Sequence, residues 1–388
     1  MNYDGVVLAA PFSLVPERQS EETTEGLAAR VLRGVLDTAR LSHHDLDGLS
    51  LASLTLHPDS VVAFAARAGL SCRYLDQPPM GGASAIAALR RAARMVAAGD
   101  IRTVALVGAD NTAGAAFTDL VQNFSRFSRE AVWPYGAGGP NLVFGLITAH
   151  YMERFKATRE DFGTLCVAQR VNAQGVPHAV FRDRALTLEE YLAARPIAEP
   201  LCLYDCVMPV AGGEGCLVMR EVDADAAGLP YARLLATLER HNAFADDPVQ
   251  FRGGWALERA SFWAAAGVEP GDVRCVETYD DYPVMSLIQL EDMGFCGKGE
   301  GPAFIRSKTL TRDGTFPHNT CGGQLSAGQS GAAGGHLGLV EALRQVTGTA
   351  GGWQVPDALL ALSCGFGMVD YDRGICATAA LLARGRTP

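Results

Sequence analysis

Apolar positions along this chain follow two rhythms in alternation. Val6–Ala10 and Thr103–Ala109 are apolar at almost every position, which predicts strands buried on both faces. Thr23–Arg40 instead places Leu27, Val31, Leu32 and Val35 at helical spacing on one face. Gly48–Leu56 predicts a second strand, Val61–Ala68 a short helix and Arg73–Asp76 an extended piece. In Pro78–Gly99, PPMGGASAIAALRRAARMVAAG, the glycines at 81 and 82 predict a tight turn. A helix with Ile86, Leu89, Ala93 and Val96 on one face follows, and Gly99 stops it. Its first turn, Gly82 to Ala85, is nearly bare of side chains, so other backbone or a ligand has room to approach the free N–H groups there.

The rhythm breaks at Asp110. Helices are predicted over Asn141–Phe155, Asp161–Ala173 and Thr187–Ala194, and GGEGCLVMREV then returns to strand. From Tyr231 the order restarts. Strand Tyr231–Arg240, helix Trp255–Ala266, strand Val273–Thr278, helix Val284–Met293, extended Thr315–Asn319, helix Gly331–Val346 and strands Ala358–Ser363 and Ile375–Ala383 are predicted. PPMGGASAIAALRRA and GQSGAAGGHLGLVEALRQ share one pattern, an extended segment, a small-residue turn and a buried helix. That points to an internal duplication at about half the chain. The division is 1–110 plus 200–226 for the first half, 111–199 for an insertion and 227–388 for the second half.

A length of 388 residues suits two halves. A net charge of −10 argues against nucleic acid as a partner. No apolar run approaches the ~20 residues of a membrane span. MNYDGVVLAAPF carries Asp4 and reads as a first strand rather than a signal peptide, so the cytoplasm is the expected location. Ten scattered cysteines read as reduced core thiols. Only Cys202 and Cys206 lie close together, with no second pair, so no metal site is expected from spacing. CGKGE at 296–300 lacks the spacing of a phosphate loop.

Three segments carry a resemblance: ARPIAEPLCLYDCVMPVAGGEGCLVM at 194–219, YDDYPVMSLIQLEDMGFCGKGE at 279–300 and PHNTCGGQLSAGQSGAAGGHLGLVEALRQVTG at 317–348. Across nearly its whole length the chain resembles the thiolase superfamily, of the sterol-carrier-protein type and the lipid-transfer-protein group. The resemblance implies an α/β thiolase fold, with two similar αβαβα halves in five layers and an inserted loop domain. It also implies a homodimer, coenzyme A thioester substrates, and chemistry on the C–C bond beside the thioester carbonyl. Coenzyme A then enters only as part of the substrate.

The family's nucleophilic cysteine falls on Gly82, and a glycine cannot form an acyl-enzyme. Ser84, two residues on, reads as a packing or capping residue, with substrate binding as its alternative. The family's His-Asp-Cys-Phe segment matches Tyr279-Asp280-Asp281-Tyr282, and its Gly-His-Pro segment matches Gly328-Gln329-Ser330. Its second cysteine falls on Ser363 or Cys364, while Asn319 and Gly322–Gly323 match its Asn and Gly-Gly. Steroid side-chain retro-aldolases of the lipid-transfer-protein group also lack the cysteine, and Tyr279, Asp280 and LIQLEDMGFCGKGE resemble theirs. This chain departs from those retro-aldolases at Gln329, where their second tyrosine is expected. Those enzymes work with a small zinc-ribbon and OB-fold partner, which becomes an expectation here.

A retro-aldol split needs a base for the β-hydroxyl proton and donors for the developing enolate oxygen. Tyr279, Asp280, Asp281 and Gln329 are the candidates for the proton and charge work. Gly82, Ser84, Asn319, Gly323, Ser363 and Cys364 are the candidates for oxyanion or substrate binding. Phe124, Phe127 and Trp133 are candidates for an acyl pocket, and Arg126, Arg129 and Lys156 for the coenzyme's phosphates. Asp370 and Tyr371 are expected near the site. Three readings stand open: a cysteine-free lyase, an acetyl-CoA acetyltransferase of thiolase type, and a non-catalytic acyl-CoA or lipid-binding subunit.

Overall fold

The computed structural model describes residues 3–387 apart from 124–129, 131, 137–138 and 371. Its strands are β1 (Val6–Ser13), β2 (Gly48–Ala52), β3 (Tyr74–Asp76), β4 (Thr103–Asn111), β5 (Pro196–Ala198), β6 (Leu201–Cys202), β7 (Ala211–Arg220), β8 (Tyr231–His241), β9 (Cys275–Glu277), β10 (Leu360–Val369) and β11 (Gly374–Arg386). Nine of them join in the order β3-β2-β4-β7-β1-β8-β11-β10-β9, and β5 pairs β6 separately. The order is nearly a palindrome. β2–β4 and β9–β10 are parallel, β4–β7 and β10–β11 antiparallel, and β1 meets β8 antiparallel in the middle. The expected duplication is thus visible in the strand pairing. The second half's counterpart of β3 is reduced to a single parallel bridge, Val276 to His318, where an extended piece was expected.

The helices follow from the same apolar spacing. Thr24–Ala39 lays Leu27, Val31 and Val35 against Val7, Ala105 and Leu217 on one face of the first half. Ser84–Ala97 and Gly334–Thr347 share one core with strands of both halves, through Ile86, Leu89, Val340 and Leu343 beside Val104, Val218, Leu234 and Leu382. Gly254–Ala266 and Pro283–Met293 cover the second half. Helix, sheet, paired helices, sheet and helix make five layers. The two central helices approach at their glycine-rich starts, where a Cβ on Gly335 would stand 2.1 Å from the carbonyl oxygen of Gly82. Only hydrogen fits there.

Helices Pro140–Phe155 and Arg159–Ala173 of the insertion pack onto the second half, where Phe144, Ile147 and Leu165 join Leu287 and Met293. Four helices escaped the periodicity: Ala115–Asn123, Glu221–Ala226, Gly301–Arg306 and Gly323–Ala327. All are short. β2 ends at Ala52, before the expected Leu56, because Ser53 to Thr55 turn to bind Asp110. β10 runs past the expected Ser363 to Val369, where it pairs Gly374 of β11. No helix among the described residues is long and apolar enough to cross a membrane. All ten cysteines are unpaired.

Candidate active site

Gly82 ends the turn that opens the Ser84–Ala97 helix, and the ring of Tyr279 lies directly on it. A Cβ built on Gly82 would stand 2.0 Å from Tyr279 Cε2 and 2.4 Å from its hydroxyl oxygen. The phenol therefore occupies the space a side chain at 82 would need. Tyr279 is 4 % exposed. Its backbone is clamped by one amide, with its N–H 2.9 Å from Gln289 Oε1 and its carbonyl accepting from Gln289 Nε2 at 2.7 Å. Gln289 projects from the Pro283–Met293 helix, so that helix fixes where the ring goes.

Both residues line a cleft with about 870 Å³ of empty space, counting its open mouth. Its walls are mainly apolar, with Leu54, Phe117, Phe144, Phe366 and Met368 among them. Tyr282 stacks on Phe144 at 4.1 Å between centroids and donates to Asn141 Oδ1 at 2.5 Å. Asp281, Gln329 and the Tyr279 hydroxyl are polar groups on this apolar surface, the composition of a small-molecule site.

Asp280 and Asp281 are adjacent and do different things. The Asp280 carboxylate points away from the cleft into the start of the Gly323–Ala327 helix. Oδ1 accepts the Gln324 N–H at 2.8 Å, and Oδ2 accepts the Leu325 N–H at 3.3 Å and Gln169 Nε2 at 3.0 Å. Burial pushes its carboxyl up to about 6, against the pull of those backbone donors. As a candidate base Asp280 is thus corrected to a helix cap. Asp281 is half-buried in the cleft wall, and its Oδ1 is shielded from water with no hydrogen-bond partner. Burial pushes it up to about 8; the Tyr279 hydroxyl opposes the shift and the Asp280 charge adds to it.

The Tyr279 hydroxyl faces both Asp281 and Gln329. Burial first, then Asp281, holds the phenol well above its ordinary range, and the Gln329 amide opposes them. The phenol stays protonated at neutral pH and can therefore donate a hydrogen bond. Gln329 is held at both ends by one residue, Nε2 donating to the Gly331 carbonyl at 3.1 Å and Oε1 accepting the Gly331 N–H at 3.3 Å. That pairing fixes the amide orientation and leaves one N–H of Nε2 for another acceptor.

The remaining candidates stand away from the cleft. Ser84 Oγ donates to the Pro78 carbonyl at 2.9 Å and accepts the Met80 N–H at 3.1 Å, which locks the turn before the helix. Asn319, at φ +46°, accepts the Thr278 N–H on Oδ1 at 2.8 Å. Gly323, at φ +58°, leaves the space that Asp280 Oδ2 fills, since a Cβ there would stand 2.3 Å from it. Ser363 is fully buried beside Gly338, and Cys364 borders a small enclosed void instead of the cleft. Burial holds the Cys364 thiol far above its ordinary value. These five are corrected to scaffold. Trp133 is exposed, and Lys156 Nζ donates to the Glu153 carbonyl at 2.9 Å. Asp370 sits in the β10–β11 turn, its N–H on the Arg373 carbonyl. Phe124, Arg126, Phe127, Arg129 and Tyr371 lie outside the described residues.

Sequence reasoning missed Gln289, Asn141, Cys206 and the Phe366–Val369 wall. Gln289 carried a signal, a polar residue amid the apolar run VMSLIQLEDM. Mirrored halves around a pair of glycine-opened helices, with a cleft where those helices begin, define a thiolase-like protein. A family model described as thiolase C-terminal domain-like matches residues 248–376. The 17-hydroxy-3-oxo-4-pregnene-20-carboxyl-CoA lyase of Mycobacterium tuberculosis is 32% identical over 341 residues, 84% of this chain and 86% of its own. A steroid side-chain-cleaving aldolase of Thermomonospora curvata is 30% identical over 84% of this chain and 85% of its own. The solved Ltp2-ChsH2(DUF35) aldolase superposes with a TM-score of 0.84 at 26% identity, covering 98% of each chain. The chain belongs to the thiolase superfamily, sterol-carrier-protein type.

Proposed function

We propose that this protein is a lyase that splits β-hydroxyacyl-CoA thioesters by a retro-aldol reaction, without a covalent intermediate. The observation that carries the reading is the Tyr279 ring seated on Gly82, which puts a phenol where an attacking thiol would need to be. The named relatives are a carboxyl-CoA lyase and a steroid side-chain-cleaving aldolase, and that supports it. The mainly apolar lining of the cleft suits an apolar group on the β-carbon.

In this reading Asp281 accepts the β-hydroxyl proton, directly or through Tyr279. The Cα–Cβ bond breaks, the β-carbon becomes a carbonyl, and the bonding pair moves to Cα and onto the thioester oxygen. The Gly82 N–H at the helix start and the Gln329 amide donate to charge developing there. The proton held on Asp281 then returns to Cα and releases a shorter acyl-CoA. A thiolase-type acyltransferase needs a thiolate in the cleft. Cys206 is the cysteine lining it among the described residues, and burial pushes its thiol up to about 12, leaving almost no thiolate at neutral pH.

We place the enzyme in the cytoplasm, as a homodimer with a small zinc-ribbon and OB-fold partner. The partner named with the aldolase structure supports the last point. The test is to incubate the protein, alone and co-expressed with such a partner, with β-hydroxyacyl-CoA thioesters. A carbonyl product and a shortened acyl-CoA are expected. Tyr279→Phe should slow turnover by about 10²–10⁴-fold. An unimpaired Tyr279→Phe variant would remove the phenol from the mechanism.

A further inference from the structure

Behind the Asp280-capped turn, away from the cleft, three ligand-type side chains converge from distant parts of the chain. His178 follows the Arg159–Ala173 helix, Cys321 lies in the turn after Asn319, and Glu341 sits midway along Gly334–Thr347. A ring nitrogen of His178, the Cys321 sulfur and a Glu341 carboxylate oxygen all lie within 4.8 Å of one another. Donors of one tetrahedral zinc ion at about 2.0–2.3 Å stand about 3.3–3.8 Å apart, so the three side chains must draw together by up to about 1–1.5 Å to close on one ion.

Within this trio His178 is the member left without a polar partner. His178 is 7 % exposed and its Nε2 is buried without a hydrogen-bond partner. Its ring meets Trp353 edge-on at 5.5 Å. Glu341 is held by Gln345 Nε2 at 2.7 Å and by Trp353 Nε1 at 3.2 Å. Thr320 Oγ1 stands 2.8 Å from one oxygen of Glu341 and 2.8 Å from one oxygen of Glu277. A hydroxyl donates only one proton, so one of these carboxyls carries a proton and donates back to Thr320. Burial favours Glu277 for that role, since its carboxyl is pushed up. Among the described residues the cation near Glu341 is Arg344, whose guanidinium stands at 3.9 Å.

We propose that His178, Cys321 and Glu341 bind a divalent transition-metal ion, with zinc the best match. Neutral imidazole, thiolate and carboxylate form a mixed donor set that zinc accepts, and its charge offsets a buried carboxylate. Binding transfers the Cys321 proton to solvent and forms a sulfur–metal bond, with no change of oxidation state. The ion would tie the segment after the Arg159–Ala173 helix to the turn capped by Asp280, and so steady the wall that carries Tyr279 and Asp281. This inference stands on the trio alone and does not depend on the reaction proposed for the cleft.

The test is to treat the untagged full-length protein with a chelator, then titrate it with cobalt(II) chloride and, separately, zinc sulfate. Cobalt should saturate near one equivalent with sulfur-to-cobalt charge-transfer absorption, and zinc should displace it and raise the melting temperature. His178→Gln and Glu341→Gln should each weaken binding at least tenfold. Cys321→Ser should abolish the charge-transfer band, whereas Cys72→Ser, far from the trio, should keep it. Circular dichroism on each variant separates lost binding from lost folding. Absence of the band in the folded protein, or its persistence in folded Cys321→Ser, would overturn the proposal.

Discussion

Gly82 and Tyr279 share one volume, so neither can be changed independently of the other. A cysteine at 82 would force its Cβ to 2.0 Å from the ring. Gly82→Cys is therefore expected to lose about 1–3 kcal/mol of stability, as overpacked cores do, and to gain no thiolase activity. The double variant Gly82→Cys/Tyr279→Ala should lose less stability than the two single losses together, read by denaturant unfolding. Asp281 carries a separate expectation. With its carboxyl pushed up to about 8, the basic form grows as pH rises, so cleavage should accelerate through that region and level off above it. Asp281→Asn should abolish both the activity and that rise in a pH–rate profile. At this scale the sequence named the two aspartates but could not sort them. Asp280 and Asp281 look alike in a string of letters. Only the direction of each carboxylate, one into a helix start and one into the cleft, separates the cap from the candidate base.

The helix starts are where the chain's unusual residues collect. Asp280 caps Gly323–Ala327, and Asp110 does the same for the turn before Gly334–Thr347, accepting the Ala332 N–H at 2.7 Å while binding Ser53 Oγ at 2.6 Å and the Thr55 N–H at 2.7 Å. Asp110 thereby ties a loop of the first half to the central helix of the second. Asp280→Ala strands two backbone N–H groups and the Gln169 amide, a cost of about 2–5 kcal/mol. It should appear mainly as a lower melting temperature, while Asp281→Asn should act mainly on turnover. The long elements were legible because a buried face imposes a period, as in Thr24–Ala39 and Ser84–Ala97. Gly323–Ala327 was not, because five residues give no period and its cap lies more than forty positions away.

The whole molecule hides several acidic groups, and that sets its response to pH. Burial pushes Asp281 and Glu214 up to about 8 and raises Glu277 as well. Each folded value lies above its unfolded value near 4, so the folded state keeps protons that the unfolded chain has released. The resulting stability is complete below about pH 4 and is lost as pH rises towards 8 and beyond. Apart from other groups, unfolding midpoints should therefore fall between pH 6 and pH 9, and Glu214→Gln should flatten that fall. The duplication was readable in the two glycine-opened helices. The joining of His178, Cys321 and Glu341 was not, since spacing arguments see only near neighbours and these three meet through tertiary folding. The central claim is that carbon–carbon cleavage here proceeds with no acyl group on the protein. Intact-mass spectrometry of the protein quenched during turnover of a β-hydroxyacyl-CoA tests it most directly. An unmodified mass while shorter acyl-CoA accumulates is the predicted result, and a mass raised by one acyl group in step with turnover would contradict it.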